Sequence, residues 1–244
     1  YETRAKLQLT QPVSISGEVF GSSSLPIYLR APYLLYEQKI YDFVKAHHRV
    51  LELGVGTGNF TLALARKGAG VIAVDISPNM LKLLVKRIKQ AGGVVNTMVA
   101  DMEVLPFEDD TFDIVASAGS LSYGDNECVL AEIWRCLKPG GKFICVDSLN
   151  ENPIYRLNRW VHYLRGNRTK NTLRRMPSLK LLARYRHRFV SVDIQYFGAI
   201  SFLAPFMIHL LGDKRTAAIS NSVDRLLEVK CAAFKFVMVA TKET

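Results

Sequence analysis

The 244-residue chain has four cysteines, Cys128, Cys136, Cys145 and Cys231, with no C-x-x-C pair and no histidine at ligand spacing. That absence argues against a structural zinc site, so no metal is expected, and a reduced, cytoplasmic compartment is the expectation. No basic segment followed by an apolar run stands at the start of the sequence, so no secretory leader is expected. The most apolar stretch, "YFGAISFLAPFMIHLL" over 196–211, is interrupted by Pro205. It falls short of the ~20 residues needed to cross a bilayer. No internal repeat or low-complexity tract is present. With 49% hydrophobic residues the chain can bury a sizeable core, and its length suits one domain with an elaboration.

Charge is abundant but uneven. The formal net charge is +10, yet residues 151–190 hold eleven Lys or Arg against one acid, Glu151, and the remainder is neutral. Such a segment reads as an electrostatic footprint for an anionic partner.

Apolar runs and turn signals alternate along the first 150 residues. Residues 1–31, with "SGEVFGSSSLP", read as an N-terminal arm or lid, and 32–48 as a helix with Pro32 in its first turn. Strands are predicted over 50–53, 71–74, 94–100, 113–118 and 142–147. Helices are predicted over 60–67, 78–90 (capped by Ser77) and 127–137. "KPGG" at 138–141 is expected to turn the chain into the fifth strand. This alternation argues for a doubly wound parallel α/β sheet. Beyond 147 it stops: two basic helices are predicted within 153–188, joined near 165–172 and the second starting at Pro177, then a strand over 190–197, a short helix over 222–229 and a last strand over 233–241. The expected organisation is a core of 32–149 and 189–244 with a helical insertion, 150–188, after the fifth strand.

The chemistry-bearing stretch is "VLELGVGTGNF", 50–60. A dinucleotide loop requires G-x-G-x-x-G, its third glycine allowing close helix–strand packing. Here Gly54, Gly56 and Gly58 alternate, and Asn59 stands where that third glycine should be. Asp75 closes the second strand about twenty residues on, where a carboxylate accepts from ribose hydroxyls. "ADMEVLPF" places Asp101 just past the third strand; "ASAGSLSY" and "LKPGGKFICVD" follow at the fourth and fifth. In this order, the pieces over 49–148 resemble the class I S-adenosylmethionine-dependent methyltransferases. In particular, they resemble the small-molecule branch related to the ubiquinone and menaquinone biosynthesis enzymes.

The resemblance implies a Rossmann-like sheet of seven strands, the last antiparallel and paired with the strand near 190–197. It implies S-adenosylmethionine as cofactor. Glu52 would orient the loop or the cofactor's amino group, and Gly54, Gly56 and Gly58 would admit the methionine moiety. Asp75 would bind the ribose, Ile76 cover the adenine, and Asp101 accept from its exocyclic amine beside Met102. Ser117 and Ala118 would line the methionyl side, and Arg30 or Tyr28 would close over the carboxylate. "SAGS" replaces the Asn/Asp-Pro-Pro-aromatic tetrapeptide of base and amide N-methylating relatives, which leaves O-, C- or amine-methylation of a small molecule.

Two side chains are candidate catalytic bases, His162 in the insertion and Tyr123 after the fourth strand. Trp160 and several tyrosines interleave the insertion's arginines, a pattern compatible with nucleic acid, an anionic membrane surface or a small anionic substrate. The apolar stretch at 196–211 favours an amphiphilic acceptor (glycan, lipid or quinone-like) or the inner face of a membrane over tRNA or rRNA. A non-catalytic cofactor-binding protein is the reading from outside enzymes. Arg174 and Arg175 lie outside every cofactor motif and are expected to serve the acceptor alone. The sequence does not specify an oligomeric state.

Overall fold

The computed structural model describes residues 25–244 except 57, 68, 167 and 228. The N-terminal arm expected over 1–31 therefore lies mostly outside the described residues. Strands β1 (Arg49–Leu53), β2 (Gly70–Asp75), β3 (Asn96–Val99), β4 (Phe112–Ala118), β5 (Leu137–Ser148), β6 (Ser191–Phe197) and β7 (Lys235–Thr241) form one sheet. Its order is β3-β2-β1-β4-β5-β7-β6. β1 to β5 are mutually parallel, and β7 is antiparallel to both of its neighbours. The fold is a Rossmann-like, doubly wound α/β sheet of seven strands.

Strict alternation of side chains divides the core in two. Val50, Ile114, Ala116, Ile144, Val146, Val237 and Val239 face one side, where Tyr36 and Ile40 of α1 (Ala31–Phe43) and Leu64 of α2 (Thr61–Arg66) cover them. Leu81, Leu84 and Ile88 of α3 (Pro78–Gln90) continue that layer over Ala73. Leu51, Leu53, Val115, Phe143, Cys145, Phe236 and Met238 face the other side. There Val129 and Ile133 of α4 (Asn126–Cys136) and Leu181, Leu182 and Tyr185 of α7 (Leu179–Arg188) pack on them. Burial of both faces explains why the central strands read as nearly continuous apolar runs.

Several boundaries differ from expectation. The first helix ends at Phe43 rather than near 48, because Val44 turns extended (φ −78°, ψ 130°) while its N–H closes on Ile40 O. "KPGG" is not a turn before the fifth strand but an irregularity within β5. The β4–β5 register passes from Phe112↔Leu137 directly to Ile114↔Lys142, and Gly140 at φ +74° takes up the slack.

The segment expected to hold two helices holds three, α5 (Pro153–Leu164), α6 (Lys170–Arg174) and α7, and Ser178 rather than Pro177 sets the start of the last. The apolar stretch forms a 3₁₀ turn (Ser201–Leu203) and α8 (Ala204–Leu211), and the helix placed at 222–229 is α9, Asp213–Leu226. β6 and β7 are thus antiparallel neighbours joined through two helices, not by a tight turn. Among the described residues, no helix is long and apolar enough to cross a membrane.

Candidate active site

Strand order reverses between β1 and β4, and ligands of such sheets bind outside the carboxyl ends at that point. A cleft of about 780 Å³ lies there, lined by residues 52–56, Asn59 and Phe60 of the strand end and glycine loop and by Asp75, Ile76, Asp101, Met102, Ala118, Ser120, Tyr123 and Arg175. That volume suits a nucleoside-sized ligand.

The loop is shaped by backbone bonds and by what glycine omits. Gly54 and Val55 donate their N–H groups to Val74 O at 2.9 and 3.2 Å, which ties the end of β1 to β2. Gly54 adopts φ +60°, and a Cβ on it would stand 2.4 Å from Ser120 Cβ. Gly56, at φ +51°, has nothing within 4 Å of where its Cβ would be. Asp75 braces this cradle: its Oδ2 accepts from Gly56 N and its Oδ1 from Ser77 N, both at 2.9 Å. Asp101 accepts from Glu103 N at 2.9 Å, which fixes the bend after β3. Met102 packs beside Gly54 and Gly124, and Ile76 stands 70% exposed at the lip.

Glu52 is buried beneath the loop, and its Oε2 has no hydrogen-bond partner. Burial pushes its carboxyl up to about 7, with the Thr61 hydroxyl pulling weakly the other way. The Tyr36 hydroxyl, also buried and without a hydrogen-bond partner, is held well above its ordinary range by burial and by Glu52. Asp147 is buried as well, which raises its carboxyl, and it accepts from Leu121 N and Ser148 N at 3.0 and 2.6 Å. It thereby pins the turn that carries Ser120 and Tyr123.

Not every residue expected at the site reaches it. Ser117 is fully buried and does not line the cleft; its hydroxyl meets Ser120 Oγ at 2.6 Å, and Ser120, which bonds Leu53 O, takes the lining position. Alternation within β4 turns Ser117 inward, and Ala118 is the wall residue. Arg30 stays outside, its Nε on Leu25 O at 3.0 Å. Tyr123 lines the cleft, whereas His162, half-buried on α5, does not.

Arg175 corrects the sequence reading in the opposite sense. It lines the cleft, pairs with Glu103 at 3.0 Å and donates to Tyr123 O at 3.2 Å. Glu103 also accepts from Asp125 N at 2.7 Å, and Asn126 holds the carbonyl of Arg175 at 2.8 Å. No sequence signal pointed to this contact, which joins residues 72 apart. Among the described residues, no group of three or more His, Cys, Asp or Glu could hold a metal ion.

The arrangement fits S-adenosylmethionine on three structural grounds. Gly56 leaves open space for a close ligand, Asp75 presents a braced carboxylate, and a buried acid with one carboxyl oxygen unpaired lies below the loop. Comparison with known proteins agrees: residues 50–141 match the family described as "Methyltransferase domain". The demethylmenaquinone methyltransferase of Thermus thermophilus is 37% identical over 106 residues, 42% of this chain and 48% of that protein. The sterol 4-C-methyltransferase of Caenorhabditis elegans is 37% identical over 116 residues, 46% of this chain and 34% of that protein.

Among solved structures, geranyl diphosphate C-methyltransferase from Streptomyces coelicolor, in complex with Mg²⁺, geranyl diphosphate and S-adenosyl-L-homocysteine, superposes with a TM-score of 0.60. It is 17% identical, with 98% of this chain and 88% of that one covered. The chain spans less than half the length of the curated relatives named here. Over residues 50–141 the chain is thus similar to methyltransferase domains. Among these it resembles the quinone-biosynthesis enzymes.

Proposed function

We propose that the protein transfers the methyl group of S-adenosylmethionine to a small acceptor with an apolar body. The observation that carries this reading is the cradle made by Gly56 and Asp75 at the β1/β4 reversal, open on its ligand side. S-adenosylmethionine supplies a methyl group already activated on a sulfonium, so the protein's task is alignment and, where needed, removal of a proton. Asp75 would hold the ribose hydroxyls, Asp101 and Met102 the adenine, and Glu52 the amino group. Ala118 and Ser120 would bound the reacting end, and Tyr123, which lines the cleft, would relay an acceptor proton. The named relatives act on a demethylmenaquinone, a sterol and geranyl diphosphate. That shared lipophilicity supports an amphiphilic acceptor here.

Calorimetry tests the cofactor assignment. S-adenosylhomocysteine is expected to bind the wild-type chain, and Asp75→Ala to weaken it at least tenfold, the loss of about one charge-assisted hydrogen bond. Unchanged affinity in a folded variant would remove Asp75 from the ribose site, and tighter binding of NADH than of S-adenosylhomocysteine would overturn the cofactor itself.

A further inference from the structure

We propose that the groove between α5 and α6 is a binding site for an oxyanion carried on an apolar body, that is, a phosphorylated amphiphile. The groove encloses about 600 Å³, and its wall includes Arg156, Arg159, Lys170 and Arg174 together with Leu157 and Trp160, with no acid among its lining residues. None of these residues lines the methyltransferase cleft, so the site stands apart from the reaction proposed above.

Arg159 is the anchor. It is 5% exposed, its Nη1 donates to Leu149 O and Asn150 Oδ1 at 3.0 Å each, and its Nη2 has no hydrogen-bond partner. Its guanidinium thus meets neutral acceptors and lies 5.7 Å over the Phe234 ring. The acid whose field reaches it is Asp147, which already accepts from two backbone N–H groups and is influenced more strongly by Lys235. Burial and the neighbouring Arg168 push the Arg159 guanidinium down to about 10. A buried cation without a paired anion is costly, and an oxyanion seated beside it would offset that cost. Arginine's planar fork suits phosphate oxygens, which further cations from Arg156, Lys170 and Arg174 can share.

The apolar body follows from the rim. Leu157 and Trp160 line the groove yet stay 61% and 52% exposed, and Ile154 and Leu164 extend the same exposed stripe at helical spacing. The Tyr155 hydroxyl bonds Ser201 Oγ, which sets α5 against the turn leading into α8, where Phe206 and Leu210 are also exposed. A phosphate in the groove would therefore have an acyl or isoprenoid chain's worth of apolar surface beside it.

The test titrates the full chain with dodecyl phosphate below its micellar concentration, followed by calorimetry and tryptophan fluorescence. Dodecyltrimethylammonium, dodecyl maltoside and sodium phosphate serve as comparisons. Saturable binding of dodecyl phosphate is expected, at least tenfold tighter than of the other three. Arg156→Gln with Arg174→Gln should weaken it at least tenfold at unchanged thermal stability; both side chains are exposed, so the fold does not depend on them. Arg159→Lys should weaken it further.

Sedimentation with vesicles separates the two sources of such a ligand. Binding to phosphatidylglycerol but not phosphatidylcholine vesicles assigns a bilayer headgroup, and dodecyl phosphate binding without vesicle binding assigns a free phosphorylated amphiphile. Equal affinity for the three amphiphiles, no saturation by any, or full affinity in the double variant overturns the site. S-adenosylhomocysteine affinity, measured on the same samples, reports separately on the cleft.

Discussion

Glu52 makes the stability of this protein depend on pH in a direction opposite to most carboxylates. Burial raises its carboxyl from 4.5 to about 7, so between those values the folded chain holds a proton that the unfolded chain has released. Stability contributed by the protonated form is full below about 4.5 and is lost as pH rises to about 7, a swing on the order of 3 kcal/mol. Thermal unfolding of Glu52→Gln and wild type across pH 5–8 checks this: the variant should gain relative to wild type as pH rises, and parallel curves would contradict it.

Two loop glycines should separate folding from binding. A Cβ at Gly58 would meet Leu84 Cδ1 at 1.9 Å, and Leu84 is fully buried, so Gly58→Ala should cost about 2 kcal/mol through strain and overpacking. Gly56→Ala meets nothing within 4 Å and should cost about 1 kcal/mol from its backbone alone, yet weaken S-adenosylhomocysteine more than Gly58→Ala does among folded molecules. Chemical denaturation paired with calorimetry reads both quantities.

The bend that carries Asp101 is held from two directions. Arg135 of α4 donates to Phe107 O at 2.6 Å and Leu105 O at 3.1 Å while gripping Glu132, whose Oε2 accepts from Leu105 N. Arg175, just beyond α6, clamps Glu103 from the far side. Arg175→Ala should therefore weaken cofactor binding several-fold, whereas Arg174→Ala, whose side chain belongs to the neighbouring groove, should not. Equal cofactor affinities in the two variants would show that the clamp is idle. Little of this was legible beforehand, although the strands and helices of 49–148 were. In most of that core, the exposed strand β3 and the "KPGG" segment apart, apolar residues are buried and glycine or proline marks the turns, so periodicity maps onto structure. Over 153–174 and 199–211 the map fails, because Leu157, Trp160, Leu164, Phe206 and Leu210 are apolar and exposed, whereas the strand expected over 190–197 is found as β6. A pattern made by burial cannot be read where burial is absent. Ser120 and Arg175 escaped for another reason: their places depend on long-range contacts that no local spacing encodes.

The charge of the whole molecule resolves into pieces with different occupations. Of the eleven cations in 151–190, Arg159 is buried, Arg175 pairs with Glu103, Arg184 with Glu127, and Arg188 lies 3.9 Å over the Trp134 ring. Arg156, Lys170 and Arg174 converge on one groove. A segment built to follow a polynucleotide would instead present its cations along a path of phosphates, and each contact would release counterions, steepening the fall of affinity with salt. The formal charge of +10 still draws polyanions non-specifically. Binding of tRNA is therefore expected with a dissociation constant above about 1 µM near 150 mM salt, the non-specific range. Its logarithmic salt slope should be no steeper in wild type than in Arg156→Gln with Arg174→Gln by more than the ~2 phosphates those side chains could neutralise. Filter binding across 50–300 mM salt measures both. Nanomolar affinity at physiological salt, abolished by the same pair of substitutions, would move the insertion's partner from an amphiphile to RNA. The cofactor cleft would be unaffected by that outcome, because its walls and those of the basic groove share no side chain.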